Sequence, residues 1–111
     1  MRKELNTTMD ITMYRIETTP ERVNEFRGGR AYIDLNEEEL LLENEAKELY
    51  SELLKEHYEE YPDDHDYTFN DFRYENDILN VKDLMYGFYF GWTTYPLPER
   101  KILLVVAIHN E

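Results

Sequence analysis

Four consecutive residues, Asp63-Asp64-His65-Asp66, set three carboxylates and an imidazole side by side, with Asp71, Glu75 and Asp77 close behind. Hard cations take carboxylate oxygens, so the first chemistry to weigh is a metal-binding loop. The spacing does not match an EF-hand. Counted from Asp66, the sixth position is Asp71, where the sharp turn of that loop requires glycine. Zinc is no better served: His57, His65 and His109 share no spacing that brings them together, and the chain has no cysteine. A solvated acidic loop accounts for these residues, and no metal ligand is assigned. A carboxylate-metal enzyme using Asp64 and Asp66 stands as the second alternative.

Other catalytic chemistry finds less support. Ser51 is the only serine, and no strand-turn-helix elbow surrounds it. Gly28-Gly29 lacks the spacing of a phosphate cradle. Paired carboxylates abound, but acid–base work needs environments that push two pKa values apart, and a solvated row supplies none. No catalytic residue and no cofactor is assigned; the chain reads as a non-enzyme.

What distinguishes the acids is their placement. Residues 37–77 hold sixteen Asp and Glu against three bases, Lys47, Lys55 and Arg73, a net of −13; the other seventy residues hold nine of each. Concentrated like charge costs self-repulsion and adds little to fold specificity, so it suits a surface that meets something cationic. Solubility alone would be better served by spreading it. Nucleic acid and anionic membranes should both be repelled. No apolar run resembling a signal peptide follows Met1, and no eighteen-residue apolar segment occurs. A soluble cytoplasmic protein is the expectation.

Periodicity and caps suggest the elements that carry these residues. At 111 residues the chain suits one domain burying about two-thirds of its unfolded surface, with residues 1–8 as a flexible tail. Residues 9–17 alternate as a strand with an irregularity near its middle. Thr19 as N-cap and Pro20 at the first helical position start a short helix that Gly28-Gly29 ends. Residues 30–35 read as a strand.

Asn36 followed by Glu37, Glu38 and Glu39 predicts a helix running to Tyr61, ahead of Pro62 and ~36 Å long. Its apolar stripe is Leu42, Ala46, Leu49, Leu53 and His57, widened by Leu41, Tyr50, Leu54, Tyr58 and Tyr61. Glu45, Glu48, Glu52 and Glu59 lie opposite, flanked by Glu38, Glu56 and Glu60. Residues 62–71 read as a loop, and 67–74 and 78–81 as sources of short strands. In 84–95, Leu84, Tyr86, Phe88, Phe90 and Trp92 share a strand face, with a bulge or close backbone approach at Gly87 and Gly91. Pro96–Glu99 turns into Lys101–His109, an apolar run typical of a central strand. The sum is an α+β fold: a single two-layer domain over 1–111, with an antiparallel or mixed sheet of four to five strands. One long acidic helix packs across a face, and one helix is short.

Carboxylates three and four residues apart on a helix lie ~5–6 Å from one another. Ten acids over ~36 Å of helix carry roughly half the charge density of a duplex, which has one phosphate charge per ~1.7 Å. In that distribution of charge, and in no sequence motif, residues 37–77 resemble the acidic DNA-mimic inhibitors that phages and mobile elements use against host nucleases. The resemblance implies a non-enzymatic inhibitor whose partner is a basic nucleic-acid-binding protein, a nuclease or other DNA- or RNA-binding enzyme. No direct contact with nucleic acid or membrane is implied. The contact residues would be Glu45, Glu48, Glu52, Glu56, Glu59, Glu60, Asp63, Asp64 and Asp66, with Tyr61 and Tyr67 adding exposed packing area. The alternative is a protein–protein module or homodimer built on the apolar terminal strands and a free sheet edge.

Overall fold

A computed structural model describes residues 11–84 and 89–109. Along the chain run β1 (Ile11–Thr18), α1 (Pro20–Arg27), β2 (Ala31–Asp34), β3 (Glu39–Leu42), α2 (Glu43–Glu60), α3 (Phe69–Glu75), β4 (Ile78–Asn80), the helical turn α4 (Val81–Asp83), β5 (Tyr89–Leu97) and β6 (Lys101–His109). The class is α+β, with these strands in two three-stranded antiparallel sheets of order β1-β6-β5 and β3-β2-β4. No helix among the described residues is long and apolar enough to cross a membrane.

Alternation along β2 explains how the layers stack. All four of its residues are buried. Ala31 and Ile33 enter one apolar cluster with Ile16, Phe26, Leu40, Val81, Leu84, Leu104, Val106 and Ile108. Tyr32 points the other way, into a second cluster with Leu41, Ala46, Phe72 and Ile78. Successive strand side chains take opposite faces, so the small sheet is a middle layer. The large sheet and α1 lie on one side of it, and α2 with α3 on the other. Between α1 and β5, the Phe26 and Trp92 rings meet edge to face at 5.1 Å. Arg73 ties α3 to Asp83 of α4 and sits 5.6 Å from the Tyr32 ring.

The first helix starts and stops where its caps predict, with the Thr19 hydroxyl accepting from the Arg22 amide. The long helix begins later than expected. Leu40 and Leu41 must enter different clusters, and only a strand sends neighbours to opposite faces. Residues 39–42 therefore pair with β2, Ile33 opposite Leu40 and Tyr32 opposite Leu41. Asn36 caps no helix: its backbone N–H donates to Asp34 Oδ1 at 3.0 Å and its side-chain Nδ2 to the Asn76 carbonyl at 2.6 Å. At eighteen residues, α2 is ~27 Å long.

Residues 69–75 are helical rather than extended. Thr68 and Asp71 exchange reciprocal capping bonds, and Phe69 and Phe72 then share a face packed in the second cluster. Instead of one sheet of four to five strands in two layers, two smaller sheets share the strands. β1 pairs with β6 without interruption, so the expected irregularity is absent. The bulge at Gly91 is present as a register shift between Tyr89 and Gly91. Pro96 and Leu97 continue β5, and the turn lies at Pro98–Lys101, with Glu99 and Arg100 both in the left-handed region. Leu97 pairs with Lys101, so Pro98, Glu99 and Arg100 close the hairpin, and Pro96 is tolerated because β5 is an edge strand among the described residues. The expected tail 1–8, and Tyr86, Gly87 and Phe88 of the expected strand, lie outside the described residues.

Ile33 is fully buried at the centre of the middle layer. Ile33→Ala should cost about 2–5 kcal/mol of unfolding free energy in urea titrations. Met13→Ala, at a side chain 53% exposed, should stay within about 0.5 kcal/mol of wild type.

Candidate functional site

Arg22 fixes the start of α2. Its guanidinium donates to both Glu45 carboxylate oxygens, at 2.8 and 2.6 Å, and to the Leu40 carbonyl at 2.9 Å. Glu45 also accepts from the Leu42 N–H at 2.9 Å, so one carboxylate closes the N-terminus of α2 and clamps it to β3 and α1. The Arg22 hydrogen bond holds the Glu45 carboxyl below the usual carboxylate range, and Glu45 pushes the guanidinium up in return. Glu45 is thus engaged within the protein.

The other acids of the row stay open. Glu48, Glu52, Glu56, Glu59 and Glu60 are exposed. None of them has an ion pair among the described residues, whereas Lys47 reaches back to Glu43 at 3.7 Å. At 3.6 residues per turn, Glu48, Glu52, Glu56 and Glu59 fall within an arc of about 80°. Their Cβ neighbours stand ~5–6 Å apart. The buried side of the helix holds Ala46, with Leu49, Tyr50 and Leu53 against the second cluster. Lys55 is exposed beside the row.

The acidic loop is pinned at both ends. His57 Nε2 meets Asp64 Oδ2 at 2.9 Å, and its ring stacks on Tyr67 with centroids 4.5 Å apart. Asp64 Oδ1 accepts the Asp66 N–H at 3.0 Å. That backbone bond, then His57, holds the Asp64 carboxyl low. Tyr58 and His65 meet at 5.2 Å. Tyr50 donates its hydroxyl to the Tyr67 carbonyl at 3.0 Å, and Tyr67 donates its own to Glu75 Oε1 at 2.9 Å. Burial and the Glu75 carboxylate push the Tyr67 phenol up to about 12.

The expected site residues therefore divide. Glu48, Glu52, Glu56, Glu59, Glu60, Asp63 and Asp66 are exposed, as is Tyr61 at 52%. Asp64 is exposed but bonded to His57, and Glu45 is committed to Arg22. Tyr67, expected at the surface, is partly buried and packs between α2 and α3. Among the described residues no group of three or more His, Asp and Glu side chains converges as metal ligands would. Sequence reasoning missed Arg22, since it lies outside the acidic stretch and nothing local marks it as the partner of Glu45. Comparison with protein-family models, curated proteins and solved structures returned no significant match.

The raised Tyr67 phenol has a signed consequence. A group whose folded pKa lies above its unfolded value contributes stability below the unfolded pKa and loses it as pH rises through the folded one. Thermal melts should show wild type more stable than Tyr67→Phe at neutral pH. That advantage should shrink as pH climbs from 10.0 towards about 12.

Proposed function

We propose that the protein is a non-enzymatic binding protein whose acidic surface, on α2 and the loop after it, covers a basic nucleic-acid-binding surface of a partner protein and inhibits it. The observation that carries this reading is the row Glu48, Glu52, Glu56 and Glu59, exposed along one side of a helix and unpaired with any described base. A solvated helix face in an ordinary acidic protein also needs exposed carboxylates, but it does not need them unneutralised and gathered with the net charge of the chain. With Glu45 engaged by Arg22, the contact set becomes Glu48, Glu52, Glu56, Glu59, Glu60, Tyr61, Asp63 and Asp66. Such a row steers a cationic partner, so association is fast at low salt and slows as salt rises. The origin in a phage or mobile element belongs to the same proposal.

A second reading is a homodimer through the outer face of the large sheet, where Met13 and Tyr95 are each 53% exposed. Among the described residues, β1 and β5 are the two edge strands of this sheet. Apolar association of this kind is insensitive to salt.

The test captures partners from lysate at ~0.1 M and ~0.5 M salt, a range over which screening tightens from about 10 Å to roughly 4–5 Å. A nucleic-acid-binding protein should bind at the lower concentration and elute at the higher. Glu52→Gln with Glu59→Gln should keep the melting temperature and slow association with that protein by roughly tenfold. Unchanged association would exclude the α2 row, and self-association persisting at ~0.5 M salt would favour the sheet-face dimer.

A further inference from the structure

Strand alternation gives the large sheet two faces. Ile16, Leu104, Val106 and Ile108 point into the first cluster, with Tyr14 and Trp92 packed against it. The residues between them take the outer face, and none of those belongs to either cluster. The ladders set this face out in rows: Arg15 and Thr93 flank Val105, and Glu17 and Tyr95 flank Leu103. Met13 lies opposite Ala107 in the row before them. Met13 and Tyr95 are each 53% exposed, Leu103 and Ala107 are half-buried, and Arg15, Glu17 and Thr93 are exposed. Val105, between its two flanking side chains, is nearly buried.

Charge sets this sheet apart from the rest of the chain. β1, β5 and β6 together hold Arg15, Glu17 and Lys101, two bases against one acid, whereas the whole chain carries −13. The exposed acids of α2 lie beyond the middle layer. Two copies meeting through the large sheet therefore keep their acidic rows apart, whereas meeting through α2 would oppose like charges. Arg15 has no ion pair among the described residues, and Glu17 has there only a long contact to Lys101, at 3.8 Å. Two residues apart on one strand, Arg15 and Glu17 set opposite charges side by side on the outer face.

We propose that this face binds a second copy of the chain, the two large sheets packing outer face to outer face about a two-fold axis. In such a contact residue i of one copy meets residue j of the other, and j meets i. The axis lies in the interface plane and crosses the strands at Ile16, Leu104 and Thr94, which share one row of the ladders. Rotation about it reverses strand direction. It lays the Arg15–Val105–Thr93 row of one copy on the Glu17–Leu103–Tyr95 row of the other. Arg15 then meets Glu17 across the axis twice, and Val105 meets Leu103 beside each pair. Stacked sheets stand ~10 Å apart, which side chains from both faces fill. Met13, Leu103, Val105 and Tyr95 supply the apolar contact, and the charge pairs fix the register. The proposal rests on the second reading above and adds to it the orientation and the pairing residues. It leaves the α2 row of each copy free.

The experiment follows the mass of the full chain by sedimentation equilibrium at ~0.15 M salt, from about 1 μM to about 1 mM protein. Wild type should move from the mass of one chain to that of two. Arg15→Glu opposes carboxylates at both pairs and Glu17→Arg opposes guanidiniums, so each should weaken self-association by roughly tenfold or more. Both positions are exposed, so each variant should keep the circular dichroism spectrum of wild type. An equimolar mixture of the two variants brings opposite charges together at both pairs, and it should associate as wild type does. Wild type that stays a single chain throughout, or self-association unmoved by Tyr95→Asp, would overturn the proposal and the second reading together. Self-association that Tyr95→Asp abolishes but the charge variants leave unchanged would overturn the proposal while the second reading stands. So would folded charge variants that mixing fails to restore.

Discussion

Burial of β2 on both faces is the constraint on which the rest of the structure depends. Four residues separate two apolar clusters, with Ala31 and Ile33 in one and Tyr32 in the other. A strand in that position has no solvent face, so both its neighbours must also alternate between clusters. β3 does so with Leu40 and Leu41, and β4 with Ile78 in the second cluster and Leu79 packed against the first. The large sheet closes one cluster and the α2–α3 pair closes the other. Each outer layer is anchored through the cluster it closes, and α2 keeps a side exposed to solvent.

That arrangement settles where charge can be placed. α2 buries Ala46 and packs Leu49, Tyr50 and Leu53 inward, which leaves its opposite side free for acids that no interior could accommodate. Like charges along one helix repel, and their mutual cost is smallest in full solvent. Where a carboxylate is drawn partly inward, at Glu45, a guanidinium meets it with two hydrogen bonds. Behind the acidic loop, aromatic stacking of Tyr67 on His57 and hydrogen bonds through Tyr50 and Glu75 hold the backbone in one place. The exposed acids of α2 and the loop after it thus stand on a packed, hydrogen-bonded support.

Much of this was legible in the sequence, and the failures share a physical cause. Local signals held: Thr19 and Pro20 start α1, the 101–109 run is the central strand of its sheet, and the Glu48–Glu59 row lies on the solvent side of its helix. Errors arose where tertiary demand overrode a local pattern. Asn36-Glu-Glu-Glu has every mark of a helix start, yet Leu40 and Leu41 belong to different clusters, and the register with β2 wins. The Thr68–Asp71 pair is a capping box readable from sequence, but the aromatics around it suit a strand equally well. Arg22 with Glu45 and His57 with Asp64 could not be read from spacing, because long-range proximity alone makes them partners.

The central claim is that the acidic surface and nucleic acid compete for the same site on a partner. The most direct measurement forms the complex with the captured partner at low salt, adds that partner's own nucleic acid, and follows the protein by size-exclusion chromatography. Mutual exclusion is predicted: nucleic acid should release the protein in proportion to its occupancy of the partner, with no ternary complex. A stable complex of all three would contradict the account.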